Sequence, residues 1–363
     1  MEKKSKILYA ASTQSHLERF HQPYIKALQR QATVLTMATG DAVDLPIRFD
    51  KRFFSFANLC SILKIRKILK RENFDAVVVH TTLAAFLIRA AMIGKRRRPY
   101  VLNVVHGYLF PLQLRGMKDR VLLLCEKWMR RRTDAIAVMN DEDLQIAQKY
   151  CLSKGDIDLI NGMGLAIPET IPAPDRTLRA RYAKSASHFI CTFVGELSAR
   201  KNQIFLIRSA RRLCDEGIPL KLLLIGEGSE REALESAIRE LRLEDTVFLL
   251  GTQTPVLPYL AITDLYVSAS ISEGLPFNVM EAMSCGLPIL ASETKGQNDL
   301  LREYADCLYP LDDTDAFCDA VRHIYASGRY GVGSKRYSNL EKYRLSAVFE
   351  DNMKILTVGL DRS

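Results

Sequence analysis

Glu273 and Glu281 stand eight residues apart in SASISEGLPFNVMEAMSCGLPILASETKGQ, residues 268 to 297, with Gly274, Leu275 and Pro276 directly after the first. On one continuous helix the second carboxylate would be rotated by about 80° from the first, at ~100° per residue. The Gly-Leu-Pro turn places the helix start near Phe277 instead, so Glu273 lies in the loop before it and both carboxylates can face one pocket. Such a turn offers backbone N–H groups from Gly274 to Phe277, together with the positive end of the helix dipole, to an anion such as a phosphate. Glu281, one turn in, suits the vicinal hydroxyls of a ribose, and Glu273 those of a second sugar. Taken alone, two such glutamates read as a helix-capping acid and a solvated helix residue.

A cation for the same anion stands in FVGELSARKNQ, residues 193 to 203, where a strand ends in a tight turn at Gly195 and Lys201 precedes the next helix. A lysine there can neutralise a diphosphate leaving group, the charge that phosphate-leaving chemistry most needs to stabilise. LIGEGSE contains a G-x-G turn at Gly226, by itself a weak phosphate signal. VVHGYLFP puts His106 and Gly107 at the end of a buried strand, where a histidine can hydrogen-bond a hydroxyl or a developing charge. The acidic triplet DED at 141 to 143 looks metal-binding, but it begins a helix after AIAVMN and reads as an N-terminal cap. The eight cysteines show no CxxC spacing and read as reduced packing residues, neither a zinc site nor a disulfide framework.

The elements that must position these residues alternate along the whole chain. KILYAAS, ATVLTMA, DAVVVH, YVLNVVH and AIAVM read as short buried strands with helical stretches between them, which implies a parallel, doubly wound sheet. After IDLINGMG comes the proline-rich LAIPETIPAPDRT, and then a second alternation through FICTFVGEL, KLLLIGEG, TVFLLG, DLYVSAS and LPILASE. The fold class is therefore α/β with two Rossmann-like domains. One spans residues 1–172 and the other 173–340, and a C-terminal helix in 341–363 is expected to cross back to the first. A length of 363 residues fits two domains, and 48% hydrophobic with 26% charged residues excludes a disordered or fibrous chain. Two such sheets leave a cleft at their carboxyl ends, where a nucleotide-type ligand is expected.

Charge separates the halves. Residues 1–172 carry 28 Lys and Arg against 16 Asp and Glu, leaving 23 against 26 for the remainder. The excess points to a polyanionic partner of the first half. The basic runs KIRKILKR, GKRRRP and MKDRVLLLCEKWMRRR fall mostly on helices; the last sets Val121, Leu122, Leu124, Cys125, Trp128 and Met129 among cations, as on an interfacial helix at an anionic membrane surface. No stretch is apolar enough for a span or a signal peptide, so a cytoplasmic location, peripheral on the inner face of the membrane, is expected.

SEGLPFNVMEAMSCGLPIL resembles the E-x7-E segment of family-4 retaining glycosyltransferases, with its continuation EAMxxGxPI; FVGELSARKNQ, LLLIGEGSER and VFLLGTQ follow the family's order and spacing. The resemblance covers nearly the whole chain and implies the GT-B fold. It makes Lys201 the diphosphate-binding lysine. Many relatives carry an arginine directly after the glycine where this chain has Glu196, so Arg200 is the candidate second cation. It places Gly226, Leu250 and Gly251 at the edge of the nucleotide and turns His106, with Gly107, toward the sugars. TQSHLERFHQPY replaces the Gly-Gly loop of many members and is similar to the subgroup that builds bacterial exopolysaccharide, capsule and O-antigen, with His16 near an acceptor or donor phosphate.

The implied activity is transfer of a hexose or N-acetylhexosamine from a nucleotide diphosphate sugar, UDP foremost, to a polyprenyl-diphosphate-linked or other glycan acceptor. Glu273 and His106 hold the sugar while Lys201 and the helix N-terminus stabilise the leaving group. No metal and no cofactor are expected, the nucleotide sugar being a substrate, and no nucleic-acid module is present. A nucleotide-sugar epimerase of the same fold and a non-catalytic partner protein, the latter hinted at by Glu196, remain open alternatives.

Overall fold

Uncharged runs such as AVVVH and FICTFV bury both faces, and each becomes an interior strand of a parallel sheet in the computed structural model. The structure describes residues 4–360 apart from 51, 54, 96 and 169. Arg96 of GKRRRP, Glu169 of the linker and both chain ends thus lie outside the described residues.

The chain forms two compact units, 1–164 with 342–363, and 165–341. In the first, β1 (Lys6–Thr13), β2 (Thr33–Thr39), β3 (Leu45–Pro46), β4 (Ala76–His80), β5 (Tyr100–Val105), β6 (Ala135–Val138) and β7 (Ile157–Leu159) build one sheet. Its order is β3-β2-β1-β4-β5-β6-β7, every pairing parallel. In the second, β8 (Phe189–Val194), β9 (Leu220–Ile225), β10 (Val247–Gly251), β11 (Leu265–Ser268), β12 (Ile289–Ser292) and β13 (Leu308–Tyr309) run in the order β10-β9-β8-β11-β12-β13, again parallel. Each sheet therefore reverses its winding once, at β1/β4 and at β8/β11, and ligands of open α/β sheets bind outside the strand ends at such points.

The unit boundary lies ahead of the expected one after Pro172, because the proline-rich segment groups with the second unit. The C-terminal helix Leu345–Thr357 packs in the first unit. Asn352 Nδ2 donates to Tyr24 Oη and to Gly162 O, both at 2.9 Å, and Phe349 stacks on Tyr24 at 5.1 Å.

Where many relatives carry a Gly-Gly loop, TQSHLERFHQPY closes β1 at Thr13 and folds into helices Gln14–Phe20 and Gln22–Gln31, meeting at His21. The acidic triplet opens helix Asp141–Lys149 as expected, but the cap itself is Asn140, whose Oδ1 accepts from the Asp143 amide at 2.8 Å. Cys191, Cys285, Cys307 and Cys318 are buried, whereas Cys60 and Cys151 are exposed and do no packing.

Candidate active site

β11 and β8 are neighbours, so the loops leaving their carboxyl ends meet. Lys201 Nζ lies 2.5 Å from Glu273 Oε1, and Arg200 Nη1 donates to Glu273 Oε2 at 3.0 Å and to Ser272 O at 2.7 Å. The backbone binds the two loops as well, Ile271 N donating to Arg200 O at 2.8 Å. Glu273 and Lys201 are 6% and 8% exposed, so this is a buried ion pair with one partly solvated arginine at its rim. Burial pushes the Glu273 carboxyl up, yet Lys201 and Arg200 outweigh it and hold the group below its usual range. Burial lowers the Lys201 ammonium, with Glu273 opposing.

A polar network lies beneath this loop. Gln297 Nε2 donates to Ser268 Oγ at 2.6 Å, and Ser292 Oγ donates to Gln297 Oε1 at 3.1 Å and to Ser270 O at 2.7 Å. Gly296, at φ +77°, lets the neighbouring turn come close enough that a Cβ there would lie 2.4 Å from Gly274 O. Helix Phe277–Ser284 follows, with Pro276 at its N-cap. Asn278 Nδ2 reaches Val194 O at 2.7 Å and Tyr266 Oη at 2.9 Å, locking the helix start to β8 and β11. Burial raises the Tyr266 phenol, and Glu281 and Glu273 both raise it further, so the two carboxylates bear on one hydroxyl.

At the β1/β4 point of the other sheet four imidazole rings cluster. The rings of His16, His21, His80 and His106 lie between 3.9 and 5.7 Å apart, centroid to centroid, from His21–His80 to His21–His106. His80 Nδ1 is 3.2 Å from His106 Nε2, and His21 Nδ1 is 3.0 Å from the Tyr9 hydroxyl. Burial holds all four imidazoles below their ordinary range, His16 at about 4.

Family models account for both units: "Glycosyl transferases group 1" matches residues 175–343, and "Glycosyl transferase 4-like domain" matches 23–160. The chain belongs to the GT-B glycosyltransferases. It is 27% identical over 334 residues to the putative glycosyltransferase EpsD of Bacillus subtilis, covering 88% of this chain and 87% of that one. It is 26% identical over 292 residues, 77% and 73% of the two chains, to an Escherichia coli UDP-Gal:alpha-D-GlcNAc-diphosphoundecaprenol alpha-1,3-galactosyltransferase. Among solved structures, Anabaena HepE in complex with UDP and glucose superposes with a TM-score of 0.74 at 16% identity, over 97% of this chain and 99% of that one, a likeness of fold.

Several of the glycosyltransferase's expected contact groups have partners within the chain. Pro276 has no N–H, and the Phe277 amide donates within the turn to Leu275 O at 3.1 Å, so the turn offers an anion fewer amides than expected. The Gly226 amide bonds Gly251 O at 2.8 Å, and Leu250 O accepts from Gln253 Nε2 at 2.6 Å, so these backbone groups are already engaged. Gly226 has to be glycine, since a Cβ would lie 1.9 Å from Gly195 O. Glu196 is exposed and adds a carboxylate near Lys201, and Arg200, the candidate second cation for a diphosphate, is paired with Glu273. Gly107 follows His106 at φ +113°, and the next amide, Tyr108 N, donates to Asp143 Oδ1 at 3.2 Å, so the third residue of the acidic triplet positions the histidine loop.

The glycosyltransferase's helix Met117–Met129 presents Met117, Val121, Leu124 and Trp128 to solvent, from 38% to 73% exposed. Met129, expected on that face, is buried in the core, and Leu122 and Cys125 are half-buried. Helix Phe56–Glu72 exposes Phe56, Leu59 and Leu63, and both helices flank Thr82–Ala91. Among the described residues, no helix is long and apolar enough to cross a membrane. Gln297, His21 and His80 carried no role in the sequence reading, although four of the chain's six histidines fall near strand ends.

Proposed function

We propose that the protein is a family-4 retaining transferase that moves a hexose or N-acetylhexosamine from UDP to a polyprenyl-diphosphate-linked saccharide during assembly of a bacterial surface polysaccharide. The observation that carries this reading is the Glu273–Lys201–Arg200 cluster at the β8/β11 reversal, beside the start of helix Phe277–Ser284. The acceptor class is supported by the lipid-linked acceptor in the Escherichia coli relative's name, and UDP by that name and by the HepE complex.

The anomeric C–O bond to the diphosphate breaks while the acceptor oxygen bonds the same face of that carbon, and the acceptor's proton passes to the departing phosphate oxygen. Lys201, Arg200 and the helix N-terminus neutralise the charge that accumulates there, so no magnesium ion is needed at the diphosphate. Binding requires the diphosphate to draw Lys201 partly away from Glu273, which frees that carboxylate to accept from sugar hydroxyls as the leaving group is engaged. Glu281 takes the ribose hydroxyls; the resemblance alone assigns His106 to the donor sugar.

The solvent-facing apolar residues of Met117–Met129 and Phe56–Glu72, set among Lys and Arg, suit an anionic bilayer carrying the acceptor. The deciding experiment is a thermal melt with UDP, GDP, ADP and TDP, followed by turnover of UDP-sugars. A selective UDP shift that Lys201→Ala and Glu281→Ala abolish, with turnover falling about 10²–10³-fold, supports the reading. Normal turnover in both folded variants overturns the site; a UDP-sugar converted without acceptor points to an epimerase.

A further inference from the structure

We propose that His16, His21 and His106 form a binding site for one divalent transition-metal ion, zinc by its chemistry, at the β1/β4 reversal of the first unit. One ring nitrogen from each of the three lies within 4.8 Å of the other two. A tetrahedral ion with Zn–N bonds of 2.0–2.1 Å holds its nitrogens about 3.3 Å apart, so side-chain torsions close the difference.

The cluster also carries an unanswered hydrogen-bonding demand. Nε2 of His16, His21 and His80 are all buried without a partner, and His21 and His80 are 0% exposed. Buried polar groups left unpaired are costly and rare, and two of these three, on His16 and His21, belong to the proposed ligands. In the His21 tautomer whose Nδ1–H donates to the Tyr9 oxygen, 3.0 Å away, Nε2 has its lone pair free for an ion. His80, 3.2 Å from His106, holds that ring as Tyr9 holds His21, the part that hydrogen-bonding partners of ligating histidines play.

The donor set chooses the metal. Three imidazoles without a carboxylate suit zinc and its borderline neighbours, whereas magnesium and calcium require oxygen ligands. Three protein ligands leave one position open, to be filled by an oxygen of water or of a substrate hydroxyl or phosphate. Its ligands all belong to the first unit, whereas Lys201 and Glu273 belong to the second, and the inference does not depend on the choice of donor.

The test is titration of the full-length, chelator-stripped protein with Zn²⁺ against a chromophoric chelator, without nucleotide sugar, and with Co²⁺ as a spectroscopic probe. The expected result is one tightly held ion per chain, a cobalt spectrum of nitrogen ligation, and binding lost in His16→Gln and His106→Gln but kept in His323→Gln. Tyr9→Phe should weaken binding about 10–100-fold with the fold intact by melt. His21→Gln risks the core, so the half-buried His16 carries the comparison. No stoichiometric binding by the wild-type chain, binding that both variants retain, or a thiolate charge-transfer band from Cys60 or Cys151 overturns the proposal. Any of these failures leaves the UDP-dependent melt unaffected, so it is distinguishable from a failure of the transferase reading.

Discussion

Replacing Glu273 by Gln keeps the side chain's volume and removes its charge, which isolates the ion pair from packing. Lys201 is left 8% exposed with its anion gone, while Arg200, whose side chain is 44% exposed, can turn to water at little cost. Removing one member of a buried pair costs about 3–5 kcal/mol, since the remaining charge stays desolvated. A unit of the size of 165–341 shifts by about 2–4 °C per kcal/mol, so calorimetry should show its transition fall by roughly 10 °C. UDP supplies the missing anion. At about 100 times its dissociation constant a ligand adds about 2.7 kcal/mol to an ordinary site, and the diphosphate should raise the variant's transition by more than the wild type's. A Glu273→Gln melt within about 2 °C of wild type would mean that the pair is solvated and its charges uncoupled. A UDP shift smaller than wild type would mean that Lys201 does not exchange Glu273 for the diphosphate, and either result refutes the mechanism of release.

The same pair sets an acid limb. Because the folded Glu273 carboxyl lies below its ordinary 4.5, the unfolded chain takes up the proton first as pH falls. The pair's stabilisation is therefore full above that value and is lost as pH drops through the folded one; wild-type melts should fall below about pH 4.5 more steeply than Glu273→Gln melts. Arg89→Met should lower stability by about 3–5 kcal/mol in chemical denaturation, because it strands buried Glu126, which Arg89 Nη2 now holds at 2.9 and 3.0 Å; a cost below about 1 kcal/mol would refute a dry pair. Leu124→Glu with Trp128→Glu should abolish flotation with anionic vesicles while leaving the UDP-induced shift intact, and undiminished flotation would remove this helix from the membrane surface.

What the sequence disclosed was what local pattern encodes. Runs such as AVVVH and FICTFV announce buried parallel strands, and the Gly-Leu-Pro turn placed the start of helix Phe277–Ser284 correctly. The two-residue strands Leu45–Pro46 and Leu308–Tyr309 have no periodicity to read, and their pairing is purely tertiary. Partners across long separations were equally hidden. Glu126 looks like one more charge on a basic helix until Arg89, on another helix, meets it in the core. Lys201 and Glu273 were each legible as site residues from their own loops, but their direct pairing follows only from β8 lying beside β11. For the same reason the bond from the Gly226 amide to Gly251 O, between two positions expected at the edge of the nucleotide, was not legible.

The two clusters divide the chemistry by donor type, and that division follows from which residues follow each reversal of winding. At β8/β11 the loops bring a carboxylate and two permanent cations, and burial makes their mutual neutralisation the resting state. A phosphate can enter only by displacing one charge for another, which favours a dianionic ligand over a neutral sugar. At β1/β4 the side chains are imidazoles that burial keeps neutral, with lone pairs and no permanent charge to offer. Such a cluster is a poor electrostatic trap for a phosphate and a good ligand set for a cation that itself prefers nitrogen. Had both reversals carried lysines, the first unit's excess positive charge would have explained anion binding at each. Because the histidine cluster is buried and its imidazoles are held neutral, that excess belongs to the solvent-facing helices, and what the β1/β4 cluster offers a ligand is nitrogen lone pairs and N–H groups rather than charge.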